Sequence, residues 1–455
     1  MKENKRGTFS GKIGFVLAAA GASVGLGNIW RFPYLAAKYG GGIFLLVYII
    51  LALTFGYTMI VAETAIGRMS KKSPVGAFNT FTKSKVLRIG GWINAIVPFL
   101  IVPYYSVIGG WVIRYLWGYM TGECSALAED NYFSNFISDG VSVEVCFLIY
   151  ALLTLLIVFA GIENGVERVS KIMMPILVVL SIIVTIYSVT RPGAFEGVKY
   201  FLIPNFKNFS LITVVSAMSQ MFYSLSIAMG ILVTYGSYMK KDVCIESSTR
   251  NVEFFDTAIA FMAGLMIIPA VFAFSSGDPE ALNAGPSLMF ITIPKVFDSM
   301  GLGTPIGILF FLLVLFAALT SSIALAESAA STFQDEFKMS RRKSTILVGV
   351  VMLILGTLSS LGYGPLGDVK ILGMQFLDFF DFITNSVMMP IAAIATCILV
   401  SYVIGIDAIE EEMLLNGGTF KRKKIFILMI RFLCPLFAAV ILISSVLNAF
   451  GIISM

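Results

Sequence analysis

Apolar runs of about twenty residues recur from one end of the chain to the other, and short polar connections between them carry most of the charge. Bounded by charge or by Gly and Pro, they predict eleven spans, near 13–36, 42–67, 90–119, 142–161, 168–190, 212–239, 252–274, 304–334, 344–361, 372–403 and 425–450. Runs of this length suit helices that cross a bilayer and are too long for strands, and the alternation and aromatic girdles of a membrane barrel are absent. A helix satisfies its own backbone in hydrocarbon, so the predicted fold class is an all-α polytopic membrane protein. Pro279 to Met300 contains a weaker apolar stretch, Pro286 to Val296, bounded by proline and too short to span. It reads as a helical hairpin over an entrance or as a plain loop.

Composition agrees with lipid as the solvent: 58% of the 455 residues are hydrophobic and only 13% are charged. Charge also orients the spans. Arg68 to Arg88, Lys240 to Arg250, Lys338 to Lys343 and Lys421 to Lys424 are basic connections, whereas Glu123 to Asp139 is acidic. With Lys2, Lys5, Arg6 and Lys12, roughly 23 of the 32 Lys and Arg fall on one side, which the positive-inside rule makes cytoplasmic. Residues 1–12 then form a retained cytoplasmic tail, and eleven crossings of the inner (plasma) membrane leave the C-terminus external. Histidine is absent and the five cysteines are scattered, which argues against zinc, haem or iron–sulfur sites. Any metal should be held by oxygen. Cys124 and Cys146 flank one loop and either pair or are ordinary small apolar residues. No nucleophile–base constellation lies within the spans, so neither an enzyme nor a nucleic-acid partner is expected.

Two spans depart from the apolar pattern at mid-depth. Span one reads Gly21-Ala22-Ser23-Val24-Gly25-Leu26-Gly27-Asn28, and span six carries a matching disturbance, Ser224-Leu225-Ser226-Ile227-Ala228-Met229-Gly230. Paired Gly-interrupted spans point to an inverted repeat with a midplane binding site; alternatively, Gly21 and Gly25 form a Gly-x-x-x-Gly packing pair. Unwinding frees carbonyls for a cation, while a half-helix N-terminus offers amides to an anion. A zwitterion fits both ends.

Gly21 to Tyr34 reads Gly-x-x-Val-Gly-Leu-Gly-Asn-x-Trp-Arg-Phe-Pro-Tyr. With Gly40 to Gly42, Glu63, Tyr104 and Tyr105, Thr320 to Ser322 and Asp381, it resembles the neurotransmitter:sodium symporters from end to end. The resemblance implies one transporter domain over 1–455, with two five-helix inverted repeats (13–190 and 212–403), unwound helices one and six, and an extra helix, 425–450. The implied activity is amino-acid import by alternating access, coupled to two sodium ions.

One sodium would be held by the Ser23 carbonyl, the Asn28 side chain, Ser224 and Asp256, all hard oxygens. Asp256, eight residues before Gly264, stands where many relatives carry Asn, and Ala260 stands where some chloride-independent relatives carry Glu. Asp256 can supply the missing negative charge, so chloride-independent transport is expected. That acid is also placed to titrate, or it is simply an acid near the mouth of span seven. The second sodium would take carbonyls of Gly21, Val24 and Ala317 and the hydroxyls of Thr320 and Ser321, residues that otherwise back-bond to their own helix.

For substrate, the resemblance assigns the Leu26 and Gly27 amides and the Tyr105 hydroxyl to a carboxylate. The ammonium would meet carbonyls of Ser23, Tyr223 and Ser224 and the Ser226 hydroxyl. Gly25 replaces the Asp of amine carriers, which favours amino acids over amines. Ile101, Tyr105, Tyr223, Met229, Ser321 and Leu325 would line the side-chain pocket. Met is adaptable, so large apolar or aromatic substrates are expected; Met229 and Leu325 also suit simple packing. Arg31 and Asp381 would pair as an external gate, a lid that Tyr105 above the substrate and Gln220 would complete. Arg6 and Asp335 would pair internally beside Tyr235, Ser237 and Phe9, which takes the family's Trp position. Gly165 and Pro175 are spaced like the family's unwinding element in helix five, or coincide by chance.

Overall fold

A computed structural model describes residues 7–275 and 288–452. The Arg6 half of the internal pair and part of the Pro279 to Met300 segment therefore lie outside the described residues. Among the described residues nine helices are long and apolar enough to cross a membrane: Gly42–Ser70, Lys85–Met120, Gly140–Phe159, Ile162–Val189, Ile245–Phe274, Gly303–Glu336, Arg341–Leu361, Phe376–Ile404 and Lys423–Ala449. The two spans with disturbed sequences are each split. Span one is Lys12–Ser23 followed by Gly27–Lys38, bent by 51°. Span six is Leu211–Ser224 followed by Ile231–Tyr238, with residues 225–230 between them. Counted as one crossing each, they are consistent with the eleven predicted spans. No strand occurs among the described residues, only the isolated bridges Gly41 to Pro204 and Ile371 to Met374.

Helix ends run beyond the sequence estimate where polar residues belong to the helix. Span seven starts at Ile245 rather than near 252, because Glu246 and Glu253 find partners in the connection before span eleven instead of water. Span four is capped by Asp139, whose side chain accepts from the Val141 amide at 3.2 Å. Ser142 and Val141 together hold that exposed carboxyl below its ordinary pKa.

Burial separates scaffold from centre. The most apolar windows of spans three and eight are 78% and 72% buried, against 33% for spans four and eleven, which turn their apolar sides to lipid. Spans three and eight pack along each other; span eight also packs on the first half of span one, which span three meets through Tyr105. The second half of span six lies backbone to backbone on span two: a Cβ on Gly67 would fall 2.0 Å from the Val233 carbonyl, and one on Gly236 2.4 Å from that of Thr64. Small residues permit this approach, and lipid supplies no hydrophobic drive to replace it.

In the described part of the Pro279 to Met300 segment, a turn at Leu288–Thr292 leads into a short helix, Ile293–Asp298. Tyr115 donates to the Phe290 carbonyl at 2.7 Å, which fixes the segment to span three.

Candidate functional site

Span one leaves the α-helix at Val24, which is extended (φ −75°, ψ 99°) although its amide still bonds the Ala20 carbonyl at 2.7 Å. Asn28 closes the turn by accepting from the Gly25 amide at 3.0 Å. The next amide, Leu26, donates to the Tyr105 hydroxyl at 3.0 Å. In span six Ser226, Ala228 and Gly230 are left-handed, with φ of 53°, 59° and 69°. Two clamps hold this turn: the Ser226 hydroxyl donates to the Ala22 carbonyl at 3.0 Å, and Glu63 of span two accepts the Ala228 amide at 2.8 Å.

Where the breaks meet, a buried network forms around Asp256. Asn28 Nδ2 and Ser224 Oγ donate to its Oδ1 at 2.7 and 2.8 Å, and the Tyr48 hydroxyl donates to Oδ2 at 3.0 Å. Tyr48 was not anticipated; in an apolar span a tyrosine looks like packing until its hydroxyl is placed. The Ser23 hydroxyl donates back to Ala19 at 3.1 Å, leaving untouched the carbonyl on which its expected role rests. Across span one lies the neutral cluster. Ser321 Oγ lies 3.4, 3.2 and 3.4 Å from the carbonyls of Gly21, Ala22 and Val24. Thr320 back-bonds to Phe316 and Ala317 at 3.0 and 3.1 Å, the ordinary behaviour of a helical threonine, and sits against Gly21. Among the described residues no three His, Cys, Asp or Glu gather. The donors brought together are hydroxyls, carbonyls, one amide side chain and one carboxylate, a set that fits a hard monovalent cation.

Between the breaks lies a small cavity of about 20 Å³, lined by Ser23, Gly25, Gly27, Tyr105, Tyr223 and Ser224, with Ile101, Ser226, Met229, Ser321 and Leu325 completing its wall. Ala22 and Ile231 also line it and were missed. Leu26 does not; its side chain faces a second, larger cavity of about 430 Å³ on the other side of Tyr223. Arg31 and Asp381 share that larger space but form no ion pair, contrary to expectation. Each is satisfied elsewhere: Arg31 bonds Ser219 at 3.2 Å and lies 5.3 Å from the Tyr223 ring centre, and Asp381 accepts from Tyr104 at 3.1 Å and Asn385 at 2.5 Å. Gln220 Nε2 reaches down to the Gly27 carbonyl at 2.8 Å.

The opposite end is sealed. Phe9 is buried edge-on against Tyr235 and Tyr238, at centroid distances of 5.4 and 6.0 Å. Asp335 accepts from the Ser73 amide, and the Ser237 hydroxyl donates back to Thr234. Sequence reading missed a buried ion pair here, Glu327 with Arg341 at 2.6 Å, which also takes the Tyr238 hydroxyl at 2.8 Å. Gly165 lies in a π-turn at Ile162–Glu167 and Pro175 inside the following helix, Arg168–Val189; the stretch between them is wound throughout. Cys124 and Cys146 are both free thiols.

Two broken membrane helices that cross over hydroxyl- and carbonyl-lined pockets, open to one face and sealed at the other, define an ion-coupled secondary transporter. The chain belongs to the sodium:neurotransmitter symporter family, whose profile matches residues 6–135 and 133–452. It is 35% identical over 462 residues to the uncharacterized sodium-dependent transporter YhdH of Bacillus subtilis (strain 168), covering 100% of both chains. A similar uncharacterized sodium-dependent transporter of Haemophilus influenzae is 33% identical, over 97% of this chain and 98% of its own. The crystal structure of MhsT in complex with L-phenylalanine superposes with a TM-score of 0.87 at 36% identity, over 97% of this chain and 100% of that one. Sodium-coupled transport across a membrane is thus the activity of this multi-pass protein.

Proposed function

We propose that the protein imports large hydrophobic or aromatic L-amino acids with two sodium ions, without chloride, by alternating access. The observation that carries the reading is the small cavity: its wall is apolar apart from hydroxyls and backbone, and no charged side chain lines it. A substrate must therefore bring both of its own charges. The carboxylate would replace the bond between the Leu26 amide and the Tyr105 hydroxyl, and the ammonium would meet the carbonyls of Ser23, Tyr223 and Ser224 with the Ser226 hydroxyl. The two walls must part for this, since about 20 Å³ holds no amino acid. MhsT, solved with L-phenylalanine, supports an aromatic occupant.

Asp256, Asn28, Ser224 and Ser23 would hold one sodium beside that carboxylate; Gly21, Val24, Ala317, Thr320 and Ser321 would hold the other. Ionised, Asp256 would supply a negative charge among its three donors, and no anion would then be needed to balance the first ion. Arg31 and Asp381 would close the larger cavity by pairing, with Gln220 and Tyr105 beneath them. Opening of the Phe9, Tyr235, Ser237 and Asp335 end, with unwinding between Gly165 and Pro175, would release the cargo. The N-terminus would be cytoplasmic and the C-terminus external. Two sodium ions moving down a ~100 mV potential and a ~10-fold gradient supply about 7 kcal/mol, enough for roughly 10⁵-fold accumulation of a zwitterion.

Labelled amino-acid uptake into sealed proteoliposomes under an imposed sodium gradient tests this, with each of the twenty amino acids as competitor. Phenylalanine-sized apolar competitors should dominate, and replacing chloride by gluconate should change nothing. Absence of uphill uptake for every amino acid would overturn the reading.

A further inference from the structure

Away from both breaks a third cavity, of about 110 Å³, lies where span two, the start of span seven and the connection into span eleven meet. Three cations line it, and only one of them is spent. Arg422 pairs with Glu253 at 3.1 Å, lies 4.6 Å from the Tyr57 ring centre, and donates at 3.3 Å to the Leu53 carbonyl, within the π-turn Ala52–Gly56. Arg250 and Lys421 line the same cavity, and among the described residues neither side chain is in contact with an acid, although Arg250 lies near enough to Glu253 to act on its charge. The acid in the wall, Glu246, is engaged: it accepts from the Thr419 hydroxyl at 2.9 Å and from the Lys421 amide at 2.8 Å.

Tyr57 adds an independent sign. It lines the cavity and is 0% exposed, and its hydroxyl makes no well-formed hydrogen bond, its nearest polar neighbour being the already engaged Glu246 carboxylate. A buried hydroxyl left without a partner costs free energy unless something fills the role. The surroundings are lipid-facing: Phe254 next to Glu253, Leu53 on span two and Ile425 on span eleven are 68%, 45% and 39% exposed. Two cations outside any contact ion pair and a buried hydroxyl, beside lipid-facing apolar side chains, have the chemistry that recognises a phosphate delivered from the bilayer.

We propose that this cavity binds the phosphate of an anionic phospholipid from the adjoining leaflet, with Arg250 and Lys421 supplying the charge and Tyr57 the hydroxyl. The site bears on transport through Glu253, which Arg422 holds and which lies three residues before Asp256 on the same helix. A bound lipid braces the helix that carries the buried carboxylate.

Native mass spectrometry of the full chain, released from nanodiscs of mixed phosphatidylglycerol and phosphatidylcholine, tests the site. The protein should retain phosphatidylglycerol in preference to phosphatidylcholine. The double variant Arg250→Ala with Lys421→Ala should lose about 10-fold of that preference, and Arg250→Lys with Lys421→Arg should recover it. Tyr57→Phe, which removes only the hydroxyl, should fall between. Equal retention of the two lipids overturns the proposal, as does an unchanged preference in the charge-deleted variant. If that variant does not fold, an unchanged preference in Tyr57→Phe overturns the hydroxyl's role. Displacement of the retained lipid by inorganic phosphate would overturn the bilayer as the source and make the ligand a soluble phosphate.

Discussion

Span one leaves the helix without any left-handed residue, whereas span six passes through three, two of which carry side chains, Ser226 and Ala228. The first break needs room. A Cβ on Gly25 would fall 2.6 Å from Ser321 Oγ and 2.8 Å from the Tyr105 hydroxyl, so only glycine lets spans three and eight close on the exposed backbone. The second break needs force. Left-handed backbone at a residue with a Cβ costs about 1–2 kcal/mol, and the clamps from Glu63 and the Ala22 carbonyl oppose it. One break is thus permitted by its own composition, the other imposed by neighbours. Asp256 is the joint, taking Asn28 from the first and Ser224 from the second.

That comparison can be broken at the joint first. Asp256→Ala strands the donors Asn28, Ser224 and Tyr48, and should weaken sodium-stimulated substrate binding by at least about 100-fold. Asp256→Asn keeps an acceptor for them and should bind better than Ala while acquiring a need for chloride. Equal sodium activation in the parent and the Ala variant would dissolve the joint.

Gly25→Ala probes space alone. It should lower substrate affinity about 10- to 100-fold in a scintillation proximity assay, because Ser321 and Tyr105 must both retreat. Unaltered binding would mean that the first break has slack. Next in size is Glu63→Ala, which leaves the Ala228 amide without a partner and should reduce transport about 10-fold; Glu63→Gln retains a carbonyl acceptor and should restore most of it. If Gln is as poor as Ala, a clamp acting by hydrogen bonding is the wrong description.

The smallest effect has the most diagnostic sign. Ala228→Gly removes left-handed strain and should leave thermal stability unchanged or raise it by about 1 kcal/mol. Ala22→Gly, in the helical turn just before the first break, should lower stability by about the same amount. Matching signs in thermal unfolding would erase the distinction between a permitted break and an imposed one.

Most of the span order is legible in the sequence, and so are both breaks, because glycines and hydroxyls are expensive in mid-membrane and their grouping stands out against leucine and phenylalanine. Span seven reads too short at its basic end because charge marks a boundary in a hydropathy pattern. Glu246 and Glu253 instead stay helical by meeting the connection into span eleven. Tyr48 and Glu327 gave no signal of comparable strength. A tyrosine in an apolar run and a single acid among alanines acquire meaning only from the partner that faces them, here Asp256 and Arg341. Arg31 and Asp381 show the converse, two charges that invite pairing and are instead satisfied separately across an open cavity.

Sequence alone settled that the chain is a helical membrane protein and that spans one and six are interrupted. Those conclusions follow from local costs, since the bilayer taxes every exposed polar group at its own position. Tertiary structure decided how the interruptions are held: Asn28, Ser224 and Tyr48 on one carboxylate, Glu63 on one amide, and Ser321 beneath three carbonyls of span one. Those assignments depend on which side chains meet across helices far apart in the chain, and hydrogen-bond geometry exists only once the helices have packed.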